Sequence, residues 1–257
     1  MKLALWQADP TNGQIEARFV ALAAQLAAAA SAGARMLILP ELFLPGYNRP
    51  DLHGTLAQPM NGAWMGRLRD MALQAQCGIC IGWAERDGDA VFNAATTISH
   101  NGEILAHYRK VQLYGLMEEA SFQRGDALCA VFSLEDMTSA MLICYDVEFP
   151  GHAAALAAGG ARLILVPTAN PTGFEHVQRI LVPARAHENR AVVAYANFTG
   201  EEGGLRYGGG SVIAGPDGQP LAMAGPYGEA LLVVDLAAIS QIPASGWAAP
   251  EGAYHPH

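Results

Sequence analysis

Cys144 closes an apolar run, SAMLIC (139–144), and the polar residues Tyr145, Asp146 and Glu148 follow at once. A cysteine that only fills a core behaves as a small hydrophobe. Here the chain leaves the strand at the thiol and runs on into "FPG". Two other strand-like runs end on reactive groups: MLIL (36–39) is followed by Pro40 and Glu41, and EILAHY (103–108) by Arg109 and Lys110. In α/β sheets functional groups gather just beyond the carboxyl ends of strands. A thiol, a carboxylate and an amine thus stand at comparable ends of separate strands.

Each residue alone has an ordinary explanation. A cysteine at a strand end is more often core, a glutamate after proline a solvated loop residue, and a lysine at a strand end a surface charge. Together they describe acyl transfer. A thiol with the usual pKa of about 8.5 is mostly protonated at neutral pH. A nearby lysine favours the thiolate, and a carboxylate can take the proton. The ammonium can then hold a developing oxyanion, helped by the amide N–H of Tyr145. The covalent intermediate would be a thioester.

The elements that must position these groups alternate between strand and helix patterns. LALWQA, MLILP, GICIGWAE, AVFNAATTIS, EILAHYRK, SAMLICYD, LILVP, AVVAYANF and EALLVVDL read as strands. Residues 15–32, 62–76, 152–159 and 175–190 read as helices, and GGSVIAGPDGQPLAMAG as a hairpin around its "PDG" turn. One echo stands out: GARMLILP (33–40) and GARLILVP (160–167) each follow an Ala-rich segment. This implies two similar α/β layers packed face to face in one domain, residues 1–241, with 242–257 as an irregular tail available for subunit contact.

Composition narrows the function. The chain has 257 residues, is 51% hydrophobic and 15% charged, and carries a net charge of -9. That balance disfavours nucleic-acid binding, which needs clustered lysine and arginine. Four cysteines, Cys77, Cys80, Cys129 and Cys144, are too few for a disulfide framework and point to a cytoplasmic protein. Cys77 and Cys80 form a C-x-x-C inside an apolar run, with no neighbouring His or second Cys pair, so no metal site is expected. The N-terminal MKLALWQADP lacks the features of a signal peptide, and the Ala-rich stretch 20–34 is too short and too polar to span a membrane.

The blocks PELFLPGY, YRKVQL and ICYDVEFP, in that order and spacing, resemble the signature blocks of the nitrilase, or carbon–nitrogen hydrolase, superfamily. The resemblance runs from residue 1 to about residue 236. It implies a four-layer α-β-β-α sandwich that dimerises, and no cofactor. It also implies that Glu41 is the general base, Cys144 the nucleophile and Lys110 the stabiliser of the tetrahedral intermediate. A second glutamate of the family falls on Glu118, four residues before Phe122, with Glu119 as its solvated neighbour. Two positions depart from many relatives: Gln112 stands where a histidine is common, and Gly151 where the family continues "FPE".

Within the superfamily the chain looks most like short bacterial amidases, 5-aminopentanamidase and the R-stereoselective amidases among them. The implied substrate is a small primary carboxamide, with or without an amine. Asn170, Thr172 and Phe174 would lie near it, and an amine would want a further carboxylate from Asp146, Glu148, Glu175 or Glu201. A nitrilase or an N-carbamoyl-amine hydrolase would use the same thiol. A non-catalytic scaffold of the same fold would have no use for Glu41, Lys110, Glu118 and Cys144 together. An ammonia-supplying domain would need a synthetase partner.

Overall fold

Along Lys2–Gln7 (β1), Leu3 and Leu5 enter one apolar core while Ala4 and Trp6 enter another, and all four are buried. A strand covered on both faces reads as a continuous apolar run rather than an alternating one. The computed structural model describes residues 1–241.

In chain order β1 is followed by α1 (Ile15–Ser31), β2 (Ala34–Ile38), α2 (Pro50–Leu56), α3 (Ala63–Ala75), β3 (Gly78–Asp87), β4 (Ala90–Ile98) and β5 (Ile104–Arg109). Next come α4 (Gly115–Ser121), β6 (Phe132–Leu134), β7 (Met137–Met141), a 3-10 turn at Cys144–Glu148, α5 (Pro150–Ala158) and β8 (Leu163–Pro167). A π-helical turn (Val177–Leu181) runs into α6 (Val182–Asn189), then β9 (Val192–Ala196) and the short β10 (Glu201–Glu202) and β11 (Leu205–Arg206). β12 (Val212–Ala214), β13 (Pro220–Met223), β14 (Ala230–Asp235) and a 3-10 segment (Leu236–Gln241) complete the described residues.

Two six-stranded sheets form, in the orders β14-β1-β2-β3-β4-β5 and β6-β7-β8-β9-β12-β13. Their strand directions agree step by step: antiparallel, parallel, parallel, antiparallel, antiparallel. The echoed segments GARMLILP and GARLILVP supply β2 and β8, which hold the same place in the two sheets. The sheets share a central core that includes Leu3, Leu5, Met36, Ile38, Met141, Leu163 and Leu165. α1 and α3 cover the outer face of the first sheet through Phe19, Leu22, Trp64 and Leu68. α5 and α6 cover the second through Ala153, Leu156, Val182 and Ala186. The result is the expected four-layer α-β-β-α sandwich.

Three local expectations need correction. The strand expected to reach Asp146 ends at Met141, because Cys144 has φ +44 and begins a 3-10 turn. The helix expected over 175–190 opens as a π-turn, where Pro183 in the next turn lacks an N–H for the regular ladder. Cys77 belongs to the outer core and Cys80 to the central one, so the two thiols of the C-x-x-C face different layers. Residues 242–257, expected to serve as a tail, lie outside the described residues.

Candidate active site

Glu41 follows β2 behind Pro40. Its amide donates to the Thr168 carbonyl at 3.2 Å, just beyond β8, so its position is tied to both sheets. Leu42, at φ +44, turns the chain away from the strand. Gly82 of β3 passes so close that an added Cβ would sit 2.6 Å from the Glu41 Cα and 2.6 Å from the Leu42 nitrogen. Only glycine permits that approach.

Lys110 extends β5 by one residue, its amide donating to Asn93 O at 2.9 Å. Its ammonium is fully buried and lies 2.6 Å from Glu41 Oε1 and 2.7 and 2.9 Å from the two oxygens of Glu118. Glu118 reaches it from α4, a short helix that the sequence reading did not include. Two further side chains, also not singled out there, complete the cluster. Asn93 donates to Glu41 Oε1 at 2.7 Å, and Tyr47 donates its hydroxyl to Glu118 Oε1 at 2.8 Å. The signal for Asn93 was a lone amide within the otherwise apolar AVFNAA run, since such a group is buried only with partners.

Burial works against the Lys110 charge, but Glu118 and Glu41 outweigh it and hold the ammonium above its usual pKa. Burial also raises Glu41, with Glu118 adding and Lys110 opposing, to about 7. The Cys144 thiol is pushed well above its usual value, first by burial and then by the Glu41 charge, against the pull of Lys110, the Thr168 hydroxyl and the Ala169 amide. This reverses one expectation. Lys110 does not yield a resting thiolate, because its charge is already taken up by two carboxylates. Burial and the Glu41 charge thus favour the neutral form of the thiol. Glu41 Oε2 is buried and has no partner among the described residues.

Asp146 braces the turn that carries the thiol. Its Oδ2 accepts from the Ile143 amide at 3.0 Å and the Tyr108 hydroxyl at 2.8 Å, and its Oδ1 from the Gln112 amide at 2.9 Å. A non-glycine residue with positive φ, such as Cys144, needs that kind of external support. Gln112, one of the two unusual positions, also lies 3.4 Å from the His152 ring, which in turn lies 3.2 Å from Asp146 O. Gly151 stands in the first turn of α5 with open space around it.

A narrow cleft leads to the thiol. Tyr47, Tyr114, Cys144, Tyr145, Glu148, Ala169, Asn170, Pro171 and Phe174 line it. Asn170 lines the wall, but its amide donates to Phe174 O and Gln178 Oε1, both at 2.9 Å, and so holds the loop. Thr172 is exposed and lies outside the lining, so the structure does not bring it to the cleft.

The carbon-nitrogen hydrolase family model matches residues 2–243. The chain belongs to the carbon–nitrogen hydrolase family. This carbon–nitrogen hydrolase is 39% identical over 235 residues to the "Hydrolase in pqqF 5'region" of Pseudomonas protegens, covering 91% of this chain and 81% of that protein. It is 30% identical over 191 residues to an (R)-stereoselective amidase of Pseudomonas sp., covering 74% and 69%. Among solved structures, a nitrilase-superfamily amidase from Nesterenkonia sp. superposes with a TM-score of 0.88 at 39% identity, covering 92% of this chain and 90% of that one. Structures of that amidase carry acrylamide added at an active-site cysteine, and a cysteine mutant holds butyramide.

Proposed function

We propose that this carbon–nitrogen hydrolase is a thiol amidase cleaving a small primary carboxamide to a carboxylate and ammonia. The observation that carries the reading is Glu41: one oxygen is held by Lys110 and Asn93, the other is buried and open to a proton, and its charge acts on the Cys144 thiol. The amidase relatives and the narrow cleft support it.

In the reaction, Glu41 takes the thiol proton as sulfur attacks the amide carbon. The oxyanion is received by Lys110 and the Tyr145 N–H. Protonated Glu41 returns the proton to the departing nitrogen, the C–N bond breaks and ammonia leaves a thioester. Water then loses a proton to Glu41 and attacks the thioester, and the thiol is released. Glu118, held by Tyr47, keeps Lys110 charged and aimed. Residues 1–241 act as one domain.

A nitrilase reading uses the same thiol, and a nitrilase of Pyrococcus abyssi is 35% identical over 211 residues. An N-carbamoyl-amine substrate would release carbon dioxide as well. Ammonia release from aliphatic amides, a matching nitrile and an N-carbamoyl amine, with Cys144→Ala alongside, separates the three. Release from the amides, lost in the variant, is the expected result. Release from the nitrile alone overturns the amidase reading.

The chain is further proposed to work as a cytoplasmic homodimer. A monomer by light scattering at micromolar concentration contradicts this.

A further inference from the structure

The cleft holds one carboxylate that the chemistry above leaves unused. Glu148 ends the 3-10 turn that Cys144 begins, lines the cleft and is half-buried. Among the described residues its carboxylate accepts no hydrogen bond and forms no ion pair. Burial raises its pKa, and the electrostatic influence of His176, Lys110 and Arg185 opposes that rise. Lys110 is engaged by Glu41 and Glu118. Arg185 donates to the carbonyls of Val147 and Glu148, both at 3.0 Å, and to Glu188 at 3.1 Å. That clamp fixes the backbone of Glu148 and leaves its side chain unpaired.

The other candidate carboxylates are spoken for. Asp146 is consumed by the turn. Glu175 accepts from the Gly173 amide at 3.0 and 3.1 Å, and Glu201 pairs with Arg206 at the surface.

The walls around Glu148 are aromatic. The Tyr114 ring stands edge-to-face with Tyr145 at 5.2 Å and with Phe174 at 6.0 Å. Aromatic faces and a partly desolvated carboxylate both attract an ammonium group. A neutral apolar tail in the same place would leave the Glu148 charge unpaired, and an acidic tail would be repelled.

Resting on the amidase reading, we infer that Glu148 and the wall of Tyr114, Tyr145 and Phe174 form a subsite for a protonated amine. The substrate class is a short aminoalkyl carboxamide, with the ammonium a few carbons from the amide. Glu148 determines specificity and takes no part in proton transfer.

The test compares kcat/KM for 5-aminopentanamide with that for hexanamide, which has the same size and no charge. The amine is expected to be preferred by roughly 10- to 100-fold, and Glu148→Gln to bring the ratio close to one. Glu148→Arg is expected to turn the preference toward an amide bearing a carboxylate, such as glutaramate. A wild-type ratio near one, or a ratio unchanged in Glu148→Gln, overturns the subsite. Because the readout is a ratio, a general loss of activity does not mimic the result. Calorimetry with the same two amides on Cys144→Ala protein reads recognition without turnover. A preference there that Glu148→Gln removes supports the subsite even if the wild type hydrolyses neither amide, an outcome that would count against the amidase reading alone.

Discussion

Lys110 holds Glu41 by one oxygen at 2.6 Å, and the second oxygen of that carboxylate is buried without a partner among the described residues. The contact sets the orientation of the carboxylate, and the proposed mechanism sends the proton from Cys144 to the open oxygen. Replacing Glu41 by Gln keeps the shape and removes the base. The expected loss in kcat is about 10²- to 10⁴-fold, with slower alkylation of Cys144 by iodoacetamide. Alkylation at the wild-type rate would remove Glu41 from thiol activation.

The pH profile reads the same group. Burial lifts Glu41 to about 7, and a base must be ionised to accept a proton. Amide kcat/KM is therefore expected to rise with pH through about 7. An acid limb near the ordinary carboxylate value of about 4.3 would contradict a buried base.

Gly82 tests how the base is seated. Gly82→Ala places a methyl against the backbone of Glu41 and Leu42, at a cost of about 1–3 kcal/mol in stability and with a drop in kcat. Gly66, inside α3 with open space around it, is the control. Gly66→Ala is expected to stabilise by about 0.5–1 kcal/mol and to leave the rate alone. Denaturant titration and ammonia release give both numbers.

Asp146 tests the turn under Cys144. Asp146→Asn presents an amide to donors that now meet a carboxylate, at a cost of about 1–3 kcal/mol, while Tyr108→Phe removes one donor for about 1 kcal/mol. Activity is expected to fall further than stability in the first variant, because the strained thiol loses its support.

Glu85 tests stability away from the site. It accepts from Arg109 Nε at 2.7 Å and lies 2.9 Å from His107. Burial opposes its charge, yet His107 and Arg109 outweigh burial and lower its pKa from 4.5 to about 2. A depressed carboxylate stabilises the fold above its unfolded pKa and loses that contribution as pH falls toward its folded one. The Tm gap between wild type and Glu85→Gln is expected to be full near pH 7 and to shrink below about pH 4.5. A gap that widens in acid would reverse the assignment.

Much was legible in the chain itself. The apolar runs marked the inner strands because these are covered on both faces, and a run of apolar residues needs no partner to be visible. The GARMLILP and GARLILVP echo marked the matched places of β2 and β8. Glu41, Lys110 and Cys144 stood out because reactive side chains directly after buried strands are costly unless paired or used. The tertiary structure alone decided how their charges settle. Lys110 is shared between Glu41 and Glu118, which come from different elements, and its pull on the thiol is outweighed by burial and the Glu41 charge. Asn93 and Tyr47 join the cluster across the fold, and among four candidate carboxylates only the packing of the cleft leaves Glu148 unpaired. Apolar runs and the reactive residues beside them are local patterns in one dimension. A pKa or an unmet charge depends on distances between residues far apart in sequence, and those distances exist only once the two sheets have packed.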